Sequence, residues 1–266
     1  MLLTVLIPSY NRANMIVRSV TSALHFVDMC STLADVVVVD DASTDGTVEL
    51  LRREFSGALM AERLKIVRLE QNVGVTAARM AGLSQALGKW ILIYDSDDQF
   101  VEDARLVRNY VELLRERNEP MVFTRCRSVS TGQVIGPALR VPQLLTLRQF
   151  IGEGTPGECM TAIRRDVLEA IPYDVTIRAF EGLTMARQMK RFGAAFISPL
   201  CIRIYNDTAQ ADRLSNFVER RRRADDLARG FLAFLREFWR EMGWKTRMAY
   251  AARYLFYRAL SWMPKK

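Results

Sequence analysis

Two acidic clusters, each directly after an apolar run, hold the side chains of this chain that are best suited to chemistry. Asp40 and Asp41 follow a run of four valines, and Asp95 and Asp97 follow the apolar run that begins at Trp90. Such runs are typical of strands buried on both faces of a parallel sheet, and ligands of open α/β sheets bind outside the carboxyl ends of these strands. We therefore expect the carboxylates to share one crevice, where their mutual repulsion favours a bound divalent cation.

Length and composition indicate a folded protein with a full hydrophobic core. The chain has 266 residues, of which 50% are hydrophobic, enough for one large domain or one domain with appendages. Its first residues have the pattern of a strand rather than of a signal peptide, and no run of about 18 apolar residues predicts a membrane-spanning helix. Four widely separated cysteines fit reduced thiols better than a zinc site or a disulfide framework. These features predict a cytoplasmic protein.

Positive charge is concentrated at the C-terminal end. The formal net charge is +8, and residues 203–266 contain 15 Lys and Arg against 7 Asp and Glu, which accounts for all of it. The same segment contains 12 of the 25 aromatic residues. We therefore predict that this segment has a different physical role from the electrically neutral remainder of the chain.

Strand and helix patterns alternate over the first hundred residues. This alternation predicts a right-handed, mostly parallel α/β sheet with helices on both faces. Beyond residue 98 the pattern is weaker, with a helix over 102–117, a strand at 121–126, a loop at 152–157 and short pieces at 159–171 and 182–192. In the first part, the predicted strands are residues 3–8, 35–40, 64–69 and 90–94, and the predicted helices are 14–27, 47–55 and 75–87.

Four short motifs follow one another along these elements. They are TVLIPSYNR at 4–12, VVDDASTDGT at 38–47, NVGVTAARMAG at 72–82 and YDSDD at 94–98. In order and spacing they resemble the motifs of the family 2 glycosyltransferases, and four together are far more specific than any one of them. The resemblance implies the GT-A fold, which is Rossmann-like, and an enzyme that uses a nucleotide sugar.

The resemblance also implies a donor site built from these motifs. Asp40 would contact a uracil ring, because an imide offers one N–H between two carbonyls, so that a lone carboxylate selects uracil or thymine over the purines. Pro8 and Tyr10 would form the wall of this pocket, whereas a turn-stabilising role is favoured for Asp41. The implied donor site consists of Pro8, Tyr10, Asn11, Arg12, Asp40, Asp41, Asn72, Gly74, Arg79, Asp95, Ser96 and Asp97.

The YDSDD motif implies a metal. Asp97 would bind Mn²⁺ or Mg²⁺ directly, and Asp95 would contact the ribose or the same ion. A cation against the diphosphate stabilises the charge of the leaving group, and both ions accept all-oxygen ligation. The alternative is a solvated turn after a strand. For Arg79 three roles stay open: a contact with phosphate oxygens, fixing an aspartate in place, or a plain surface position.

An inverting transfer also needs a base within hydrogen-bond reach of the attacking hydroxyl. The family usually opens a helix with an acidic pair whose second member is the catalytic aspartate, and here the pair is Glu181 and Gly182. The chain departs from the family at this position, so Glu181 becomes the candidate base. Stabilisation of the helix N-terminus is an equal alternative for Glu181. For Arg203, a solvated strand end is favoured over a contact with the diphosphate.

Basic and aromatic side chains coincide in the C-terminal segment. Residues 220–223 are four arginines, an apolar stripe at helical spacing follows, and a second helix with tyrosines among arginines is predicted over 245–262. Basic amphipathic helices with aromatics bind anionic membranes, so membrane attachment is favoured slightly over packing of the stripe on the rest of the protein. Nothing resembles a nucleic-acid recognition module. The stripe consists of Phe231, Phe234, Leu235, Phe238, Trp239 and Met242.

These inferences predict an inverting, metal-dependent glycosyltransferase at the inner face of the plasma membrane. It would move a sugar from a nucleotide donor, with UDP favoured, to a saccharide or lipid-linked saccharide acceptor in surface polysaccharide assembly. The predicted organisation is a nucleotide-sugar-binding half at 1–100, an acceptor-binding half of the same domain at 101–205, and a basic helical extension at 206–266.

Two other functions stay open. A sugar nucleotidyltransferase is one, although that class usually has a glycine-rich basic loop where this chain has PSYNR. A catalytically silent binding protein is the other, because Gly182 stands at the usual position of the base. His25 is the only histidine, which excludes a metal site built from several histidines, and the common dinucleotide and P-loop motifs are missing from the sequence.

Overall fold

The computed structural model describes residues 1–30, 33–177, 180–208 and 217–262, with side chains from residue 220 onward in the last range. The strands of these ranges are β1 (Leu3–Ser9), β2 (Ala34–Asp40), β3 (Leu64–Arg68), β4 (Trp90–Ile93), β5 (Gln99–Phe100), β6 (Met121–Ser128), β7 (Gln143–Leu145), β8 (Cys159–Arg164) and β9 (Ala195–Tyr205). They form one sheet in the order β3-β2-β1-β4-β8-β6-β9-β5, with β7 paired to β9.

The first half of the sheet is parallel. β1 pairs with β2 and with β4, and β2 pairs with β3. Leu6 of β1 lies opposite Val37 on one side and Ile93 on the other, so these three strands end side by side. The four valines at 36–39 are fully buried, as a strand between two layers of helices requires.

The second half of the sheet is mixed. β8 runs antiparallel to both β4 and β6, β9 lies parallel to β6, and β5 and β7 are antiparallel to β9. The predicted α/β class is confirmed. The weaker sequence pattern beyond residue 98 corresponds to this mixed half, where short strands join from distant parts of the chain.

Helices cover both faces of the sheet. On one face α1 contributes Val20 and α5 contributes Tyr110 to a large apolar cluster, and on the other face α4 contributes Ala78 and α8 contributes Met189 to a second one. The helices of the described ranges are α1 (Ile16–Met29), α2 (Thr47–Glu54), α3 (Ser56–Met60), α4 (Val75–Leu83), α5 (Ala104–Glu116), α6 (Leu147–Glu153), α7 (Arg165–Ala170), α8 (Glu181–Phe192), α9 (Phe217–Arg222), α10 (Ala224–Glu237) and α11 (Trp244–Trp262).

Gly82 allows α4 to approach the sheet closely. A Cβ atom at this position would lie 2.4 Å from Leu6 Cδ1 and 2.5 Å from Val39 Cγ2, well inside van der Waals contact. The glycine therefore brings the helix directly against β1 and β2. This approach places Arg79, one turn earlier on the same helix, over the carboxyl ends of the strands.

A third apolar cluster joins the C-terminal helices to the rest of the protein. Phe234, Phe238 and Met242 are buried in it against Ile151 of α6 and Leu183 of α8. The preference for a membrane-bound stripe over residues 231–242 is therefore wrong for its buried members, because their apolar face is already covered by protein. In the part of the chain that the structure describes, no helix combines the length and apolar character needed to cross a membrane.

The contact between α10 and the start of α8 is unusually tight. A Cβ atom added at Gly230 of α10 would lie 2.5 Å from the ring of Phe180, the residue directly before α8. Gly182, in the first turn of α8, shows the opposite situation, since a Cβ atom there would meet nothing within 4 Å. Glycine is sterically required at the first position and not at the second.

We predict that Gly230→Ala lowers the free energy of unfolding by about 1–3 kcal/mol, because the added methyl group overpacks the Phe180 contact. The matched substitution Gly182→Ala should leave the free energy unchanged or raise it by up to about 1 kcal/mol, since alanine is the better helix former. Denaturant unfolding followed by circular dichroism measures both. Equal stabilities for the two variants would show that the ring moves aside without cost.

Candidate functional site

The turns that follow β1 and β2 are bonded to each other. The Asn11 N–H donates to Ser43 Oγ (2.8 Å), and the Thr44 N–H donates to Asn11 Oδ1 (2.9 Å). Asn11 and Ala42 both have positive φ angles, 51° and 62°, which are uncommon for residues other than glycine. The cross-bonds therefore hold two tightly bent turns in a fixed relative position at the ends of neighbouring strands.

Asp41 fixes a third loop to this pair. Its carboxylate accepts hydrogen bonds from the Val73 N–H (2.7 Å) and the Gly74 N–H (2.8 Å), at the entrance of α4. The sequence predicts that Asp41 stabilises its own turn, whereas the turn to which it is hydrogen-bonded lies more than thirty residues further along the chain. Asp41 thereby ties the motif at 38–47 to the motif at 72–82.

Asp40 is a correction to the implied donor site. Its side chain is fully buried and accepts a hydrogen bond from the Ser43 N–H (3.0 Å), and it is not among the residues that line the cavity described below. Successive side chains of a strand point to opposite faces, so only one member of the Asp40–Asp41 pair can face that cavity. Asp41 lines it.

The acidic loop after β4 is held by α1 and by an arginine. Ser19 Oγ of α1 donates to the Asp95 carbonyl oxygen (3.1 Å), and Arg18 Nη2 donates to the Asp97 carbonyl oxygen (3.3 Å). Arg79 Nη2 lies 3.2 Å from Asp95 Oδ1, and Arg79 Nη1 lies 2.8 Å from Glu181 Oε1. Of the three roles open to Arg79, the geometry shows that it fixes carboxylates: one at the end of β4, the other at the start of α8.

Arg203 is the second correction. The sequence favours a solvated strand end as the position of Arg203. In the structure, however, Arg203 is only 3% exposed and its Nε lies 2.7 Å from Asp98 Oδ2. Its Nη2 lies 3.5 Å from Asp95 Oδ2 and 3.3 Å from Glu158 Oε1. A buried guanidinium is costly unless it is paired, and here three carboxylates surround it. Arg203 thus neutralises part of the negative charge of the acidic loop from the protein interior.

Burial and mutual repulsion both affect these carboxylates. Partial burial, together with the neighbouring Asp95, raises the pKa of Asp97, against the opposing effect of Arg12. Burial also raises the pKa of Asp98, while the ion pair with Arg203 acts in the opposite direction. For Arg79, burial disfavours the charged form, but Glu181 and Asp95 outweigh it and raise its pKa. The raised pKa values of Asp97 and Asp98 show that negative charge is unfavourable in this loop, and a bound cation would lower these pKa values.

One cavity of about 1630 Å³ gathers these groups. It is lined by every predicted site residue except Asp40, and also by residues that were not predicted for this site, among them Glu158, Asn206 and several side chains of α9 to α11. A signal for Arg203 was present in the sequence, since a single arginine inside an apolar strand has to be paired. No comparable signal marked Glu158, which lies in a loop segment before β8. The predicted members of the lining are Pro8, Tyr10, Asn11, Arg12, Asp41, Asn72, Gly74, Arg79, Asp95, Ser96, Asp97 and Glu181.

The carboxylates of the cavity fit a hard divalent cation. Asp95 and Asp97 both line it from one short loop, and Mg²⁺ is usually bound by one or two carboxylates together with oxygens of the substrate. Over residues 1–30, 33–177, 180–208 and 217–262, no three His, Cys, Asp or Glu side chains converge to hold an ion by themselves. A bound ion would therefore depend on a ligand that brings further oxygens.

Comparison with known proteins identifies relatives that are named as transferases. TuaG of Bacillus subtilis, named for glycosyl transfer in teichuronic acid biosynthesis, is 32% identical over 163 residues, which are 61% of this chain and 61% of TuaG. WfgD of Escherichia coli, named as a UDP-Glc:alpha-D-GlcNAc-diphosphoundecaprenol beta-1,3-glucosyltransferase, is 26% identical over 164 residues, which are 61% of this chain and 59% of WfgD. The chain thus matches about three fifths of the length of these relatives.

The fold and the family agree with the sequence motifs. The structure of S. aureus TarS 1-349 in complex with UDP-GlcNAc matches 96% of this chain and 73% of that one, with a TM-score of 0.71 and 20% identity, which confirms the predicted GT-A fold. The profile of glycosyl transferase family 2 matches residues 4–171, more than half of the chain. On this match, the protein belongs to glycosyl transferase family 2.

Proposed function

We propose that this protein is an inverting, metal-dependent glycosyltransferase that uses a UDP-sugar and acts on a saccharide or lipid-linked saccharide in surface polysaccharide assembly. The observation that carries the proposal is the single cavity in which the ends of β1, β2 and β4 meet Glu181 across Arg79. The names of TuaG and WfgD support the pathway, and the name of WfgD supports both a UDP donor and a lipid diphosphate acceptor.

The donor base is assigned to the end of β2. Asp41 takes the role expected of Asp40, because Asp41 lines the cavity together with Pro8 and Tyr10 while Asp40 does not. Each carboxylate oxygen of Asp41 receives one backbone N–H and retains capacity to accept another hydrogen bond. An imide N–H of uracil offers such a donor.

The acidic loop is assigned to the diphosphate. Asp97 and Asp95 would hold Mn²⁺ or Mg²⁺, which, when bound, stabilises the charge of the departing nucleoside diphosphate. Arg79 and Arg203 contribute by fixing Asp95 and Asp98 so that the loop keeps one geometry without the ion. Preorganisation of this kind avoids a cost of rearrangement during the reaction.

Glu181 is assigned as the base. Direct displacement by an acceptor hydroxyl needs one group to accept its proton, and Glu181 is a carboxylate in the cavity wall at the first residue of α8. Arg79 Nη1 lies 2.8 Å from Glu181 Oε1 and holds this carboxylate in position at the cavity wall.

The metal assignment predicts the behaviour of Asp97→Ala. Metal-dependent binding of UDP should be lost, while thermal stability should be kept, because removing one carboxylate from a crowded acidic loop relieves repulsion. Isothermal titration of UDP with and without Mn²⁺ measures the effect. Asp166→Asn, an exposed carboxylate beyond the opposite end of β4, is the control and should bind UDP as the unmodified protein does. Undiminished Mn²⁺-dependent binding by Asp97→Ala would sink the assignment.

The base assignment predicts that Glu181→Gln lowers kcat by about 10²-fold or more, since an amide cannot accept the proton, while UDP affinity is preserved. Transfer kinetics and UDP titration are measured on the same preparation. Glu237→Gln is the matched control, because Glu237 is also ion-paired to an arginine, Arg187 at 2.6 Å, but it does not line the cavity. If both variants keep kcat within a few-fold, Glu181 is structural and another group is the base.

Attachment to a membrane is proposed through α11 rather than through the buried stripe of α10. Four large apolar side chains of α11, Trp244, Met248, Leu255 and Trp262, are 64–75% exposed. They are separated by four, seven and seven residues, so they lie on one face of the helix. Arginines of the same helix flank this face. Aromatic and basic side chains together are typical of helices that lie in the surface of an anionic bilayer.

We predict that vesicles containing phosphatidylglycerol bind the protein at low salt and that Trp244→Ala/Trp262→Ala weakens binding by about tenfold or more, because inserted apolar area is lost. Vesicle sedimentation over a salt series measures this. The control Met60→Ala/Leu87→Ala removes exposed apolar side chains elsewhere and should bind as before. If the unmodified protein ignores these vesicles at low salt, the exposed face of α11 has another purpose.

A further inference from the structure

The cavity has a second wall that differs in charge from the first. Beyond the acidic loop it continues to the C-terminal helices, where Arg220 and Arg222 of α9, Arg223 at the start of α10 and Arg253 of α11 line it. We call these four residues the arginine wall.

Arginine side chains at this density suit a ligand that carries phosphate. The planar guanidinium donates to phosphate oxygens in a bidentate manner. The donor's diphosphate is assigned to the acidic loop. The arginine wall belongs to other elements of the chain than that loop, so it is suited to the second reactant.

Aromatic side chains continue the same wall. Phe231, Phe256 and Tyr257 line the cavity next to the arginines, and the Phe231 and Tyr257 rings stack at 5.8 Å. The Arg253 guanidinium lies 5.7 Å from the Phe231 ring centroid, which restricts its position. Phe256 is 55% exposed and belongs both to the cavity lining and to the outer surface of α11. The arginine wall is thus continuous with an apolar surface of the same cavity.

We propose that the arginine wall binds the phosphate groups that join a lipid to the acceptor saccharide, with the first part of the lipid lying on Phe256 and its aromatic neighbours. This inference rests on the proposed glycosyl transfer and names the acceptor class of that same cavity. It assigns the C-terminal helices to the acceptor. The acidic loop and the turns after β1 and β2 remain assigned to the donor.

The test is isothermal titration of the full chain with farnesyl diphosphate in the presence of saturating UDP and Mn²⁺. The unmodified protein should bind it. Arg220→Gln/Arg253→Gln should weaken this binding at least tenfold, because a hydrogen bond to a charged group contributes about that factor or more. UDP affinity, measured separately, should stay within twofold. The matched control Arg236→Gln/Arg240→Gln removes the same charge from exposed positions outside the cavity and should change neither affinity.

The possible failures are distinguishable. If UDP binds but farnesyl diphosphate does not, or if farnesol without phosphate binds equally well, the inference is wrong and the proposed donor site stands. A fall in UDP affinity in Arg220→Gln/Arg253→Gln, with farnesyl diphosphate unaffected, would reassign the wall to the donor. If UDP fails to bind the unmodified protein, the proposed function fails, and titration of farnesyl diphosphate alone still decides whether the wall holds a lipid phosphate.

Discussion

The structure depends on the neutralisation of carboxylates at the ends of buried strands. Asp95, Asp97 and Asp98 follow one another closely after β4, and Asp98 is almost fully buried. Such a cluster would be unstable without cations inside the protein, and Arg203 and Arg79 provide them. Each arginine is itself costly to bury, so each side of the pairing is stable only in the presence of the other. The acidic loop can therefore carry excess negative charge into the cavity without unfolding.

The two arginines that neutralise the acidic loop lie on elements that are remote from it in sequence. Their ion pairs therefore link the two halves of the sheet. Arg203 lies on β9, and Asn206, the residue directly after this strand, donates its N–H to Asp98 Oδ1 (2.9 Å). Arg79 lies on α4 and reaches Glu181 at the start of α8, 102 residues later. Phe180, directly before that helix, packs against Gly230 of α10. A continuous series of contacts thus runs from the C-terminal helices to the acidic loop.

Much of the parallel half was predictable from the sequence because its signals are local. A run of four valines can only be buried on both faces, and turn motifs mark where each strand ends. The antiparallel half was not predictable in detail, since β8 enters between β4 and β6 through pairing that no local pattern encodes. The choice between Asp40 and Asp41 was accessible in principle, because strand alternation requires that they face opposite sides.

The two larger errors, Arg203 and the stripe of α10, have one cause. In both cases the environment of a side chain is set by partners that lie far away along the chain, and no local pattern identifies those partners. Arg203 meets carboxylates more than a hundred residues earlier, and Phe238 meets Ile151 and Leu183. The sequence shows that such groups need partners. It does not show whether protein, solvent or membrane supplies them.

The division of charge along the chain becomes a division of charge within one cavity. Residues 203–266 carry the whole net charge of +8, and their helices contribute arginines to the same cavity as the acidic loop of the neutral remainder. The acidic loop can bind an anion only together with a cation, whereas the arginine wall attracts an anion directly. If both reactants carry phosphate, as we propose, a cavity lined by an acidic loop and by arginines would hold the charged ends of the two reactants at different groups while their sugars meet.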